Sequence, residues 1–99
     1  MLRNDETFGM VLEITETNLK GSTDRRELVS FKVAEVEDGR NPTEGAIRDA
    51  IVHLSDHYDA TPCAFHGVGI DDIPGREIGG SMWVDAGTVQ VGTRIPITV

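Results

Sequence analysis

From Thr7 to Thr17 the side chains alternate, with Phe8, Met10, Leu12 and Ile14 on one side and Gly9, Val11, Glu13 and Thr15 on the other. Successive side chains of a strand point to opposite faces, so this period of two predicts a half-buried strand. Lys20-Gly21-Ser22-Thr23-Asp24 is a turn-forming stretch. Glu27 to Val36 alternates again, with Val29, Phe31 and Val33 opposite Ser30 and Lys32. The two segments form a hairpin in the simplest reading.

The period then lengthens. Ile47, Ile51, Leu54 and Tyr58 follow at helical spacing and stack on one face, with Arg48, Ser55 and Asp56 away from it. Upstream, Asn41-Pro42-Thr43-Glu44 resembles a helix start, with Asn41 as cap, Pro42 at the first helical position and Glu44 as the capping-box acid. The helix is expected to end near Tyr58-Asp59, ahead of Pro62.

After Cys63 the period returns to two. Ala64 to Ile70 reads as a strand. Ser81 to Val84 and Thr88 to Val91 flank Asp85-Ala86-Gly87, which suits a hairpin loop with Gly87 in the left-handed position. Arg94 to Val99 is a final strand, and Pro96, which lacks an N–H, belongs at a sheet edge. The expectation is a single α+β domain over 1–99: an antiparallel sheet of about five strands, in roughly ββαβββ order, with one helix on one face.

Such a sheet leaves its second face to be covered. Val11, Leu28, Val36 and Val68 are the apolar residues expected there. Two devices would cover them: another copy of the chain, or a sheet that curls into a barrel. Of the neighbours Met82 and Trp83, one faces each side. Trp83 is expected inside, because large aromatics anchor small cores; exposed, it would mark a contact hot spot.

Charge narrows the range of partners. Seventeen acids against nine bases give a net charge of −8. The excess is even: residues 1–49 hold 11 acids and 7 bases, residues 50–99 hold 6 and 2. A uniformly negative surface repels phosphate backbones, so direct nucleic-acid binding is not expected; a basic protein partner would be favoured. The simpler role of the acidity is solubility. A lone cysteine permits no internal disulfide, which fits a reducing cytoplasm. No secretory signal or membrane span is apparent. Seven arginines against two lysines suggest a GC-rich coding genome, such as that of a bacterium or phage.

Candidate chemistry is sparse. All three histidines lie between residues 53 and 66. His53 and His57 share a helix face at a chelating spacing, with Asp49 one turn earlier, and His66 and Cys63 follow where they could fold back. A metal site needs three or four convergent ligands, so half-buried or interface histidines are the commoner outcome. Cys63 with His66 or His57 as base would be a nucleophile pair, but no nucleophile motif surrounds it; a small buried thiol is the expectation. The glycines of Gly67-Val68-Gly69 and Gly75–Gly80 are flanked by strands rather than by a helix N-terminus, so they serve bends and close approach rather than a phosphate loop. Asp71, Asp72 and Glu77 lack the EF-hand pattern.

These observations favour a non-enzymatic protein-interaction or assembly module: a bacterial or phage accessory or structural subunit, self-associating or binding a basic partner as an acidic inhibitor. Glu35, Glu37, Asp38, Asp71, Asp72 and Trp83 are its candidate contact residues. A nucleic-acid mimic would set Glu35, Glu37 and Asp38 with Asp24 and Glu27 on one face. The alternatives are a metal-binding domain or small metal-dependent enzyme using His53, His57 and His66, and a small-ligand domain with Gly67–Gly80 as a lid. No cofactor is implied.

Overall fold

The computed structural model describes residues 9–18, 25–39, 42–67 and 78–98. Five strands, β1 (Gly9–Asn18), β2 (Arg26–Val36), β3 (Thr61–His66), β4 (Gly79–Asp85) and β5 (Arg94–Thr98), and one helix, α1 (Glu44–Tyr58), follow in the order ββαβββ. The strands form one antiparallel sheet in the order β3-β4-β2-β1-β5. The expected α+β class, strand number and single covering helix are all present.

One face of the sheet is the core. Met10, Leu12 and Ile14 of β1, Val29 and Phe31 of β2, Met82 and Val84 of β4, and Ile95 and Ile97 of β5 point into it. α1 meets them with Ile47, Ala50, Ile51 and Leu54, while Tyr58 packs at the margin. The helix touches both edge strands, β3 and β5, so the sheet wraps partly around it.

The helix start differs from the expectation. Thr43 is the cap: its hydroxyl accepts from the Ala46 amide at 3.1 Å. Asn41 lies outside the described residues. Because Thr43 reaches the third helical amide itself, Glu44 becomes the first helical residue and pairs with Arg48 one turn on, rather than closing a capping box. At the other end Asp59 adopts a left-handed conformation (φ 53°), and its amide closes on the Ser55 carbonyl. That turn feeds the chain directly into β3, which therefore begins at Thr61 rather than at Ala64.

Thr88–Val91 is not a strand. β4 and β5 are not neighbours, so residues 86–93 connect them across the end of β2 and β1, with Val89 buried against the core. Gly87 is left-handed as expected (φ 80°). Its amide donates to the carboxylate of Glu27, which sits 5% exposed at that end of the core. Gly92 (φ 91°) and Thr93 grip Ile14 from two sides: the Gly92 amide donates to the Ile14 carbonyl, and the Ile14 amide donates to Thr93. This is a glycine bulge that turns the connection into β5.

Both sheet edges are blunted. Counting alternately from the Ile14–Thr93 bond, the amides of Ile95 and Ile97 face β1 and those of Arg94 and Thr98 face outward, as does the nitrogen of Pro96, which has no hydrogen to offer. On the opposite edge β3 carries Pro62 and a bulge at Cys63. Among the described residues the sheet is open, with β3 and β5 as its two edges, and no barrel closes.

Candidate functional site

The strand register lays out the face opposite the helix as four rows. The first holds Thr61, Trp83 and Leu28; the second Ala64, Ser81, Ser30 and Glu16. The third holds His66, Gly79, Lys32, Glu13 and Arg94; the fourth Glu35, Val11 and Pro96. Arg26 and Asp85 extend the face beyond the first row.

Trp83 therefore belongs to this open face, half-buried beside Leu28, and Met82 takes the core position at 0% exposure. This corrects the expectation of a core tryptophan. Volume alone does not choose between neighbours on a strand; register does. Val36 moves in the opposite direction. Ala34 is an extra residue between Val33, opposite Leu12, and Glu35, opposite Val11. The bulge reverses the alternation, so Val36 pairs with Met10 and packs against the core. Val68 lies outside the described residues.

Arg26 is the anchor at the Trp83 end. Its Nη1 donates to the Asp59 carbonyl at 2.7 Å and the Asp59 carboxylate at 2.6 Å. Its Nη2 donates to the Thr61 hydroxyl at 3.1 Å and the Trp83 carbonyl at 3.2 Å. One planar guanidinium thus ties β2 to β3, β4 and the turn after α1. At the far end Arg94 bonds to Glu13 at 2.9 Å and also to Glu35.

The histidines do not converge. His53 and His57 are exposed on the outer side of α1 beside Val52, and Asp49 is exposed on the same helix. His66 stands on the open face of the sheet, across the core from them. Among the described residues no group of three His, Cys, Asp or Glu side chains could hold a metal ion. Cys63 is exposed, against the expectation of a buried thiol, because the bulge between Pro62 and Ala64 places it outside the regular ladder.

The expected acidic row is scattered. Glu27 points into the core face and Glu35 onto the open face, while Glu37 accepts from the Gly9 amide at 2.8 Å. The side chain of Asp38, and residues Asp24, Asp71, Asp72 and Glu77, lie outside the described residues, as does most of the Gly67–Gly80 segment.

Among the described residues two hollows mark the open face. One, of about 320 Å³, lies between β1 and β5 beside Val11, Glu35, Glu37 and Pro96, and both carboxylates are already bonded. The other, of about 350 Å³, lies over β3, β4 and β2, lined by Thr15, Ser30, Lys32, Ala64, His66 and Ser81. No motif marks it in the sequence, since its residues come from four strands. No family model, curated protein or solved structure is recognisably similar to this chain. No helix among the described residues is long and apolar enough to cross a membrane.

Proposed function

We propose that this chain is a non-enzymatic assembly module that associates with a second copy of itself through the open face of the sheet. One observation carries the reading: three of the five cations among the described residues stand on that face of an otherwise acidic molecule. Among the described residues Arg26, Lys32 and Arg94 stand there with Glu13, Glu16, Glu35, Glu37 and Asp85, and Arg26 and Arg94 are paired with carboxylates. The helix α1 carries Glu44, Asp49 and Asp56 with Arg48. Two copies repel least when the sheet faces meet, and Trp83, Leu28 and Val11 lie there half-buried. Pro96, Pro62 and the Cys63 bulge oppose edge-to-edge growth, so the contact is face to face.

The face is about 24 Å wide at the usual strand spacing, which supports a pair burying on the order of 1,000 Å² in total. That is the small end of specific interfaces, so the association is expected to depend on concentration. Light scattering of the untagged protein at low and high salt tests it, with Trp83→Glu as the control. A discrete oligomer that the substitution reduces to a monomer supports the reading. A wild-type monomer at about 100 μM, on the affinity scale of so small an interface, overturns it.

A further inference from the structure

The 350 Å³ hollow has a chemistry of its own. Although acids outnumber bases 17 to 9, no carboxylate among the described residues lines it. Arg26, Arg48 and Arg94 are each paired with carboxylates. Lys32 makes no ion pair or hydrogen bond among the described residues, and neither do the hydroxyls of Thr15, Ser30 and Ser81 nor the imidazole of His66. Three hydroxyls, an ammonium and an imidazole N–H therefore stand as uncommitted donors around one depression.

The spacing follows from the register. Lys32 and His66 occupy the same row on β2 and β3, two strand spacings or about 9.6 Å apart, with β4 between them. The β4 residue in that row is Gly79, which has no side chain to fill the gap. It has to be glycine: a Cβ there would lie 2.9 Å from Lys32 Cα and nearer still to the Phe31 carbonyl oxygen. In the next row the small Ser30, Ser81 and Ala64 form the floor. Glu13 and Glu16 stand on β1 beyond Lys32 and Ser30; Glu13 is bonded to Arg94, and neither lines the hollow.

We propose that this hollow binds the phosphate group of a small phosphate ester. Donors converging from several strands suit a tetrahedral oxyanion, whose oxygens accept in several directions, better than a planar carboxylate. The hollow has room for more than the phosphate, and the Trp83–Leu28 row gives an apolar shelf beside it for the organic part. The general field of the acidic chain opposes anions, so selectivity rests on these local donors and the affinity for bare phosphate is modest. The proposal shares a face with the self-association reading but does not depend on it.

The test is titration of the ¹⁵N-labelled full chain with inorganic phosphate, against chloride and acetate at matched ionic strength, followed by amide shifts. Saturable shifts centred on Ser30, Lys32, His66 and Ser81, with a Kd of about 1–10 mM, are expected. Lys32→Met should weaken binding at least about tenfold and Lys32→Arg should retain it, since only the charge-bearing donor differs. Ser81→Ala gives a second, milder loss should Lys32→Met fail to fold. Absence of saturable shifts, indifference to Lys32→Met in a folded protein, or equal affinity for acetate overturns the assignment. Light scattering on the same samples keeps the two proposals apart: a monomer that binds phosphate sinks only the assembly reading, and an oligomer that ignores phosphate sinks only this one.

Discussion

Replacement of Gly80 by alanine tests the β3 edge of the sheet, and with it the hollow. Gly80 stands on β4 between Phe31 of β2 and Phe65 of β3. In an ordinary strand interior alanine is better than glycine by roughly 0.5–1 kcal/mol, because glycine loses more backbone freedom on folding. Here the sign reverses. A Cβ at Gly80 would lie 2.9 Å from the Ala64 carbonyl carbon, 3.1 Å from Phe65 Cα, and closer still to the Ala64 carbonyl oxygen. Carbon atoms in contact rest at about 3.5–4.0 Å, so β3 must retreat from β4 by about 1 Å. Ladder bonds of about 2.9 Å would stretch to about 3.9 Å, past the range in which N–H···O bonds hold. Losing about two or three of them at about 1 kcal/mol each, and loosening Phe65 against the core, costs about 2–4 kcal/mol. That is a large share of the roughly 5–15 kcal/mol that holds a domain together. Urea unfolding gives the total, and hydrogen exchange of the folded variant locates it, with protection lost first in β3. A Gly80→Ala protein within about 1 kcal/mol of wild type would refute the close approach of β3 to β4. So would lost protection centred on β1 and β5.

Three further outcomes follow from the same packing. Ile51→Ala removes a fully buried side chain where α1 meets the sheet, so urea unfolding should show a loss of about 2–5 kcal/mol; a loss below about 1 kcal/mol would mean the helix is not seated as described. Arg26→Lys keeps the charge but cannot reproduce four bonds fanned over Asp59, Thr61 and Trp83; it should cost about 1–2 kcal/mol, and a neutral result would deny the guanidinium its tying role. Cys63 is exposed in the folded protein, so a thiol reagent should label it at nearly the rate seen in urea, whereas protection by folding would place it inside.

The helix and the strand hairpin were legible because each rests on a long, uninterrupted period. Ile47, Ile51 and Leu54 repeat at helical spacing and all three are buried; Met10, Leu12 and Ile14 alternate and all three are buried. The cap was harder to place. Asn41 and Thr43 are both of capping type, and residue type alone does not say which of two such neighbours starts the helix; Thr43 does. The path after β4 was harder still. Asp85-Ala86-Gly87 carries a sound turn signal and does turn, but a turn does not name the strand it leads to. The strand it reaches, β5, pairs with β1, whose sequence lies some eighty positions earlier.

Two of the misplaced side chains, Val36 and Cys63, share a cause that bears on the site itself. A period of two assigns faces only as long as the ladder is unbroken. It breaks at Thr15, at Ala34 and at Cys63, each an extra residue against its partner strand. The Ala34 break carried Val36 to the core; the break at Cys63 left its thiol exposed; the break at Thr15 set Glu16 rather than Thr15 opposite Ser30. Nothing in the composition around these positions marks them, because a bulge is a property of two strands together and a sequence shows one strand at a time. The phosphate proposal is subject to the same rule. Ser30, Lys32, Ser81 and His66 are unremarkable in their own strands, and they become one set of donors only when β2, β4 and β3 are laid side by side in this register. A slip of one residue in β4 would bring Met82 into the row between Ser30 and Ala64, where Ser81 now stands, and remove the site. The close fit at Gly79 and Gly80, which admits no side chain, opposes that slip. The glycines that leave the hollow empty are therefore also the ones that hold its donors in place.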